Sequence, residues 1–307
     1  MFSQNKKNKR AEIYPAHRHI LFIWHLEDMP DAGVIVALGK ISMAGVFNGF
    51  STGAPILIMF ENTNTQSGDY SQFTKIPRPG HADFVAGVKY SGFADYRGGG
   101  HFSGRLTTGL VAAGVIAKKI IAPATVTAQI REIGGKTHWE EMIDNCMAER
   151  DSVGGIVECK VDDLPTGWGE PFFDGVESYI GHIVFAIPAV KGIEFGAGFA
   201  AARMLGSQHN DSLVSVDGKT ATNHAGGING GITNGNPIVF RVAVKPTSSI
   251  AKLQKTINIR TCEMVSFEIQ GRHDVCIALR MPPVLEAATA IALADLKVSS
   301  SSKINKQ

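Results

Sequence analysis

Glycine limits what this chain can fold into more than any other residue. Thirty-four of its 307 residues are glycine, and they gather in runs such as RGGGHFSGR (97–105) and NHAGGINGGITNG (223–235). A helix or strand interior is weakened by such runs, because glycine gives up more backbone freedom on folding than any other residue. The glycine-rich stretches therefore read as joints between strands and helices. Val34–Leu38, Pro55–Phe60, Val153–Val161, Pro237–Val244, Met264–Ile269 and Val275–Leu279 read as strands. Arg105–Ile121, Trp139–Arg150, Asp174–Phe185 and Pro283–Leu296 read as helices. Pro282 and Pro283 suit a helix start, where a missing N–H does little harm. The result is a mixed α and β protein with no fixed short period, which argues against a solenoid.

Composition narrows the class of function. With 44% hydrophobic and 19% charged residues the chain can bury a large core, so one compact unit is expected. A net charge of +2 gives no reason to expect nucleic acid, although a slight basic bias suits an anionic small molecule. Cys146, Cys159, Cys262 and Cys276 match neither a zinc pattern nor a disulfide framework, which suits a reducing cytoplasm. Val111–Ala117 and Ala287–Ala294 fall short of the roughly 20 apolar residues that span a bilayer, so no membrane partner is expected. The opening MFSQNKKNKR lacks an apolar signal core, and Ser299–Gln307 is polar, so both read as solvated tails.

Four clusters hold residues able to do chemistry. Arg78 and His81 precede the triple glycine Gly98–Gly100, which is followed by His101, Phe102, Ser103 and Arg105 at a helix start. Backbone N–H groups with arginine and histidine suit an anion held beside a titrating group. A plain loop with a satisfied histidine is the alternative. Asn223–Gly235 could lie against a flat or phosphorylated ligand, or simply turn tightly. KPTSS, Lys245–Ser249, combines one cation with three hydroxyls after an apolar strand, and reads as a phosphate cradle or a surface turn. GRHD, Gly271–Asp274, sits between two expected strands and offers either a tuned base or a surface ion pair. No G-x-G-x-x-G follows a strand and no Walker motif is present, which argues against a dinucleotide fold and a P-loop hydrolase.

In their order and separation, RPGHAD, RGGGHFSGR, NHAGGINGGITNG, KPTSS and GRHD resemble the chorismate synthase family. So do GVFNGFSTGAPI, SGDY, DSVGGIVE, LPTGWGEPFFD and AVKGIEFGAGF, and the likeness runs from about Ala44 to Leu296. The resemblance implies an α+β fold, a β-α-β sandwich with an internal pseudo-repeat, spanning 44–298 between a divergent segment (1–43) and a polar tail (299–307). It also implies 1,4-anti elimination of phosphate from 5-enolpyruvylshikimate 3-phosphate, giving chorismate, with reduced FMN that lends an electron and takes it back. A homotetramer with flavin sites near subunit contacts is implied too. The reduced flavin would come from a separate reductase or an intrinsic NAD(P)H activity.

By motif position, His81 matches the family histidine near flavin N1, and Asp274 the residue that assists proton removal through N5. Flavin contacts fall on His101, Phe102, Ser103, Arg105, Pro188, Ala189, Gly230, Lys245, Pro246, Thr247, Ser248, Ser249 and Arg272, and a substrate-anion contact on Arg78. The sequence departs from the family in residues 1–43. The GESHG motif, whose histidine is the acid for the leaving phosphate, and the arginine-rich RRRPG segment are both missing. MPDAGV (29–34) weakly resembles the family segment just after GESHG, and His17 and His19 lie near the spacing of the missing acid. The expectation is a chorismate synthase by descent, impaired unless His17, His19 or a neighbouring subunit substitutes. A noncatalytic FMN-binding or assembly protein is the rival.

Overall fold

Alternation of apolar and polar residues along four strands builds the main sheet. In Ile238–Val244 the side chains of Ile238, Phe240, Val242 and Val244 are buried, while Val239, Arg241 and Ala243 take the other face. The same period buries Val157, Cys159 and Val161 of Gly155–Asp162. The computed structural model describes residues 43–44, 46–47, 50–52, 54–58, 60, 67–269 and 273–304. The expected strand at Val34–Leu38 and the departures at 1–42 lie outside the described residues.

Four two-residue strands come first: β1 (Met43–Ala44), β2 (Val46–Phe47), β3 (Phe50–Ser51) and β4 (Leu57–Ile58). Then come α1 (Asp83–Lys89), α2 (Thr107–Ile121), β5 (Thr125–Ile133), α3 (Glu140–Ala148), β6 (Gly155–Asp162), α4 (Val176–Phe185) and β7 (Val190–Phe195). The chain ends with α5 (Gly206–His209), β8 (Ile228–Asn229), β9 (Ile232–Thr233), β10 (Ile238–Val244), β11 (Gln254–Asn258), β12 (Glu263–Phe267) and α6 (Met281–Ile304). The sheet order is β5-β6-β10-β7, antiparallel throughout, with bulges at Ile130/Glu132 and Ala243/Val244. The fold is α+β, as expected.

Helix α6 is the centre of the core. It packs on α2, α4 and β5, and Leu285, Ala288, Thr289, Ala290 and Leu293 are fully buried. A helix apolar on all sides must be covered on all sides. Pro282 and Pro283 stand in its first turn, and its alanine-rich body has high helix propensity. The one polar group at its heart is satisfied, since Thr289 Oγ1 donates to the Leu285 carbonyl at 2.7 Å. Glu286 ties three elements together: one carboxylate oxygen receives the Lys118 ammonium from α2, the other the Ala128 N–H of β5 at 2.9 Å. Among the described residues Ile277–Ser299 is long and apolar enough to cross a membrane, which sequence inspection missed, but most of it is buried inside the protein.

Several expectations hold closely: α4 and β10 begin and end within two residues of their expected bounds. Others change. Val275–Leu279 is not a strand; Ile277–Arg280 forms a 3-10 turn that leads into α6. A five-residue apolar run has no period that separates strand from helix, and here the following helix decides it. The GRHD segment therefore lies between β12 and a helical turn, not between two strands. Helix α2 begins at Thr107, after two 3-10 turns at Arg97–Phe102 and Gly104–Leu106 that contain the glycine run. Strands β5, β7 and β11 and helix α1 were not anticipated.

Candidate active site

The RPGHAD and KPTSS motifs, 165 residues apart, meet. Lys245 Nζ donates to the Gly80 carbonyl and to Ser248 Oγ, both at 2.7 Å, and Ser248 Oγ donates to the same carbonyl at 2.8 Å. Arg78 Nη1 donates to Ser249 Oγ at 3.0 Å. The bulge opposite Ala243/Val244 puts one extra residue, Lys191, into β7, so β7 bends where β10 runs into Lys245. Lys245 N–H then bonds the Ala189 carbonyl at 2.9 Å, which brings Pro188 and Ala189 to the same place. Ala189 has φ +76, a conformation costing a residue with a Cβ about 1–3 kcal/mol, and such strain gathers at ligand sites.

Arg78 is buried and forked onto Asp83, Nε to Oδ2 and Nη2 to Oδ1, each 2.8 Å. Its guanidinium lies 4.2 Å from the Phe73 ring centre. This arginine, expected to touch a substrate anion, is engaged with Asp83 and Ser249 and braces the loop. Asp83 Oδ1 also lies 2.7 Å from His81 Nδ1. Burial works against the Asp83 charge, but the Arg78 and His81 hydrogen bonds overcome it and hold its carboxyl well below the usual range. Asp83 was absent from the expected site, although a carboxylate two residues from a histidine and five from an arginine was signal enough.

That depression has a consequence for acid stability. The folded pKa lies below the ordinary 3.8, so ionised Asp83 stabilises the fold above about pH 4, and this is lost as pH falls toward the folded value. Thermal melts of the parent and Asp83→Asn should differ most near neutral pH and converge below pH 3.8. A constant gap across that range would contradict the pairing.

Burial, and then the nearby Lys191, lower the Lys245 pKa from its ordinary value. An anion beside it would relieve the repulsion between the two ammonium groups. Thr247 Oγ1 is buried without a hydrogen-bond partner among the described residues, a placement that natural folds rarely leave unexplained. A cation and hydroxyls with unspent donors fit a phosphoryl group.

The DSVGG segment joins the remaining motif to this cluster. Ser152 Oγ donates to the Thr247 carbonyl at 2.8 Å, and Val153 N–H to the Val275 carbonyl at 2.9 Å. Asp274, next to Val275, is thus tied through DSVGG to KPTSS, and its carboxylate pairs with Arg280 at 2.8 Å. Arg272 lies outside the described residues. His101 and Phe102 belong to the Arg97–Phe102 turn, which packs on the Ser67–Thr74 turn carrying Phe73. Ser103 Oγ accepts from the Arg105 N–H at 3.3 Å. Pro246 follows Lys245 and is exposed.

No described hydrogen bond joins Gly230 to the cluster. It turns the β8–β9 hairpin in a region ordered by Asp211, whose carboxylate receives the His224 and Ala225 N–H groups, both at 2.8 Å. Gly226 there is needed as glycine, since its φ is +67 and a Cβ would stand 2.5 Å from Gly196 N. An open depression of about 570 Å³ lies nearby, lined by Asp211, Asp217, Asn229 and Asn234, and shares no residue with the Lys245 cluster.

Comparisons with known proteins bear on the family. The family model described as chorismate synthase matches residues 40–298. A chorismate synthase of Chitinophaga pinensis is 65% identical over 253 residues, covering 82% of this chain and 76% of that protein. One from Dehalococcoides mccartyi is 45% identical over 284 residues, with 82% and 78% covered. One from Thermococcus kodakarensis is 43% identical over 280 residues, with 82% and 79% covered. A crystal structure of chorismate synthase superposes with TM-score 0.64 at 25% identity, covering 85% of this chain and 78% of that one. With most of its length matched at this level, the chain belongs to the chorismate synthase family, lyases that act on a small-molecule substrate.

Proposed function

We propose that this chain binds reduced FMN and 5-enolpyruvylshikimate 3-phosphate at the Lys245 cluster and eliminates phosphate to give chorismate, a step in aromatic amino-acid biosynthesis by the shikimate pathway. The observation that carries the reading is the direct bonding of Lys245 and Ser248 to Gly80, beside His81. When bound, the reduced flavin supplies an electron to the substrate and receives it back. Lys245, Thr247, Ser248 and Ser249 hold its phosphate. His81 sets the proton at flavin N1, and Asp274 assists removal of the substrate proton. His101, Phe102, Ser103, Arg105, Pro188, Ala189, Gly230 and Arg272 complete the cofactor contacts by family position.

Exposed Phe93, Phe172, Phe173 and Phe199 supply apolar surface suited to subunit contacts in a cytoplasmic homotetramer. The missing GESHG and RRRPG motifs support an impaired rate, and also favour the rival reading of a noncatalytic FMN-binding relative. Phosphate release with reduced FMN, measured beside flavin binding, separates them. Slow release with binding supports an impaired enzyme, binding without release supports the rival, and neither signal contradicts both.

A further inference from the structure

We infer that Asp83 is the positioning residue for His81, holding its ring in the Nδ1–H form and leaving Nε2 as the proton acceptor. The Asp83 carboxylate stays ionised between Arg78 and His81 and so can only accept hydrogen bonds. At 2.7 Å from Asp83 Oδ1, His81 Nδ1 must therefore carry the proton. Arg78 Nη2 does not make the choice. It lies 3.0 Å from Nδ1 and 3.2 Å from Nε2, and one donor so nearly equidistant cannot point along both lone-pair directions. It already donates to Asp83 Oδ1 at 2.8 Å. The other carboxylate oxygen is pinned as well, since Oδ2 receives the Arg78 backbone N–H at 3.0 Å and Nε at 2.8 Å. Neither Asp83 oxygen can rotate away from its task. Other charge around the ring comes from Lys245, bonded to the preceding residue's carbonyl, and from Lys191 beside it.

These bonds dictate what Asp83→Asn must do. Two Arg78 donors meet Oδ2 and one meets Oδ1, so an amide oxygen at the Oδ2 position keeps the greater number and puts the amide NH₂ against His81 Nδ1. That nitrogen must then accept, and the proton moves to Nε2. Only the consequence for flavin rests on the reading of His81 as the flavin-side histidine; the tautomer assignment does not.

The test is the histidine ¹⁵N spectrum of the full chain at a pH where the ring is neutral. The parent should show His81 protonated at Nδ1, Asp83→Asn should show it protonated at Nε2, and Asp83→Glu should restore the parent form. Circular dichroism and thermal melts confirm that each variant folds. An Nε2–H signal in the parent, or an unchanged tautomer in a folded Asp83→Asn, overturns the inference. If Asp83→Asn fails to fold, the parent tautomer and Asp83→Glu still decide it. Reduced-FMN affinity is read alongside, and Asp83→Asn should weaken it about 10-fold, the worth of about one hydrogen bond. A tautomer change with no change in flavin affinity supports the positioning role and refutes the placement of His81 at the flavin.

Discussion

Side by side with the Chitinophaga pinensis enzyme, this chain is expected to release phosphate about 10²- to 10⁴-fold more slowly, the usual worth of a general acid. By the family resemblance a GESHG histidine would donate the proton to the leaving phosphate, and residues 1–43 carry no such motif. The RRRPG arginines are missing as well, and each hydrogen bond to a charged group is worth about 1.5–3 kcal/mol. Binding should suffer less than turnover, because Lys245, Ser248 and Ser249 remain in place. His17 and His19, which lie near the spacing of the missing acid, are the proposed substitutes within 1–43. Changing both to alanine should leave the low rate unaltered if neither does. Rates matching the relative's, under the same reduced FMN, would refute the impairment.

Gly114→Ala is expected to lower stability by about 2–3 kcal/mol, although the same change in an isolated helix gains nearly 1 kcal/mol. The reason lies across the α2–α6 contact. A Cβ at Gly114 would stand 2.3 Å from Ala287 Cβ and 2.4 Å from its Cα, so the two helices must move apart along the most heavily packed seam of the core. Moving them disturbs Leu285, Ala288 and the Glu286 link to β5 as well. The melting temperature should fall by about 3–5 °C. Ala287→Gly in the same chain reopens the space and should recover part of the loss. An unchanged or raised melting temperature for Gly114→Ala would show that the helices do not approach this closely.

What could be read in the chain beforehand depended on whether the signal was local. Alternation in β10 and the apolar stripe of α4 are local, and both elements were found near their true ends. Strand β7 was not, because Gly192 and Lys191 interrupt its apolar residues, and its pairing with β10 is what makes it a strand. The Val275–Leu279 run went wrong for the same kind of reason, since the helix after it sets its conformation.

The site divides the same way. Each motif was visible, but the bonds from Lys245 to Gly80 and from Ser152 to Thr247 span 165 and 95 residues and leave no trace in either segment alone. Asp83 shows the opposite failure, a residue in plain view inside RPGHAD whose part emerges only once Arg78 and His81 are seen on either side of it.

Flavin fluorescence titration of the full chain, parent against Lys245→Ala, tests the placement of the cofactor phosphate at KPTSS most directly. The parent should bind FMN and quench its emission, and Lys245→Ala, folded by circular dichroism, should bind about 10- to 100-fold more weakly, as loss of a charged hydrogen bond requires. Equal affinity in the two proteins, or no binding by the parent, would contradict it.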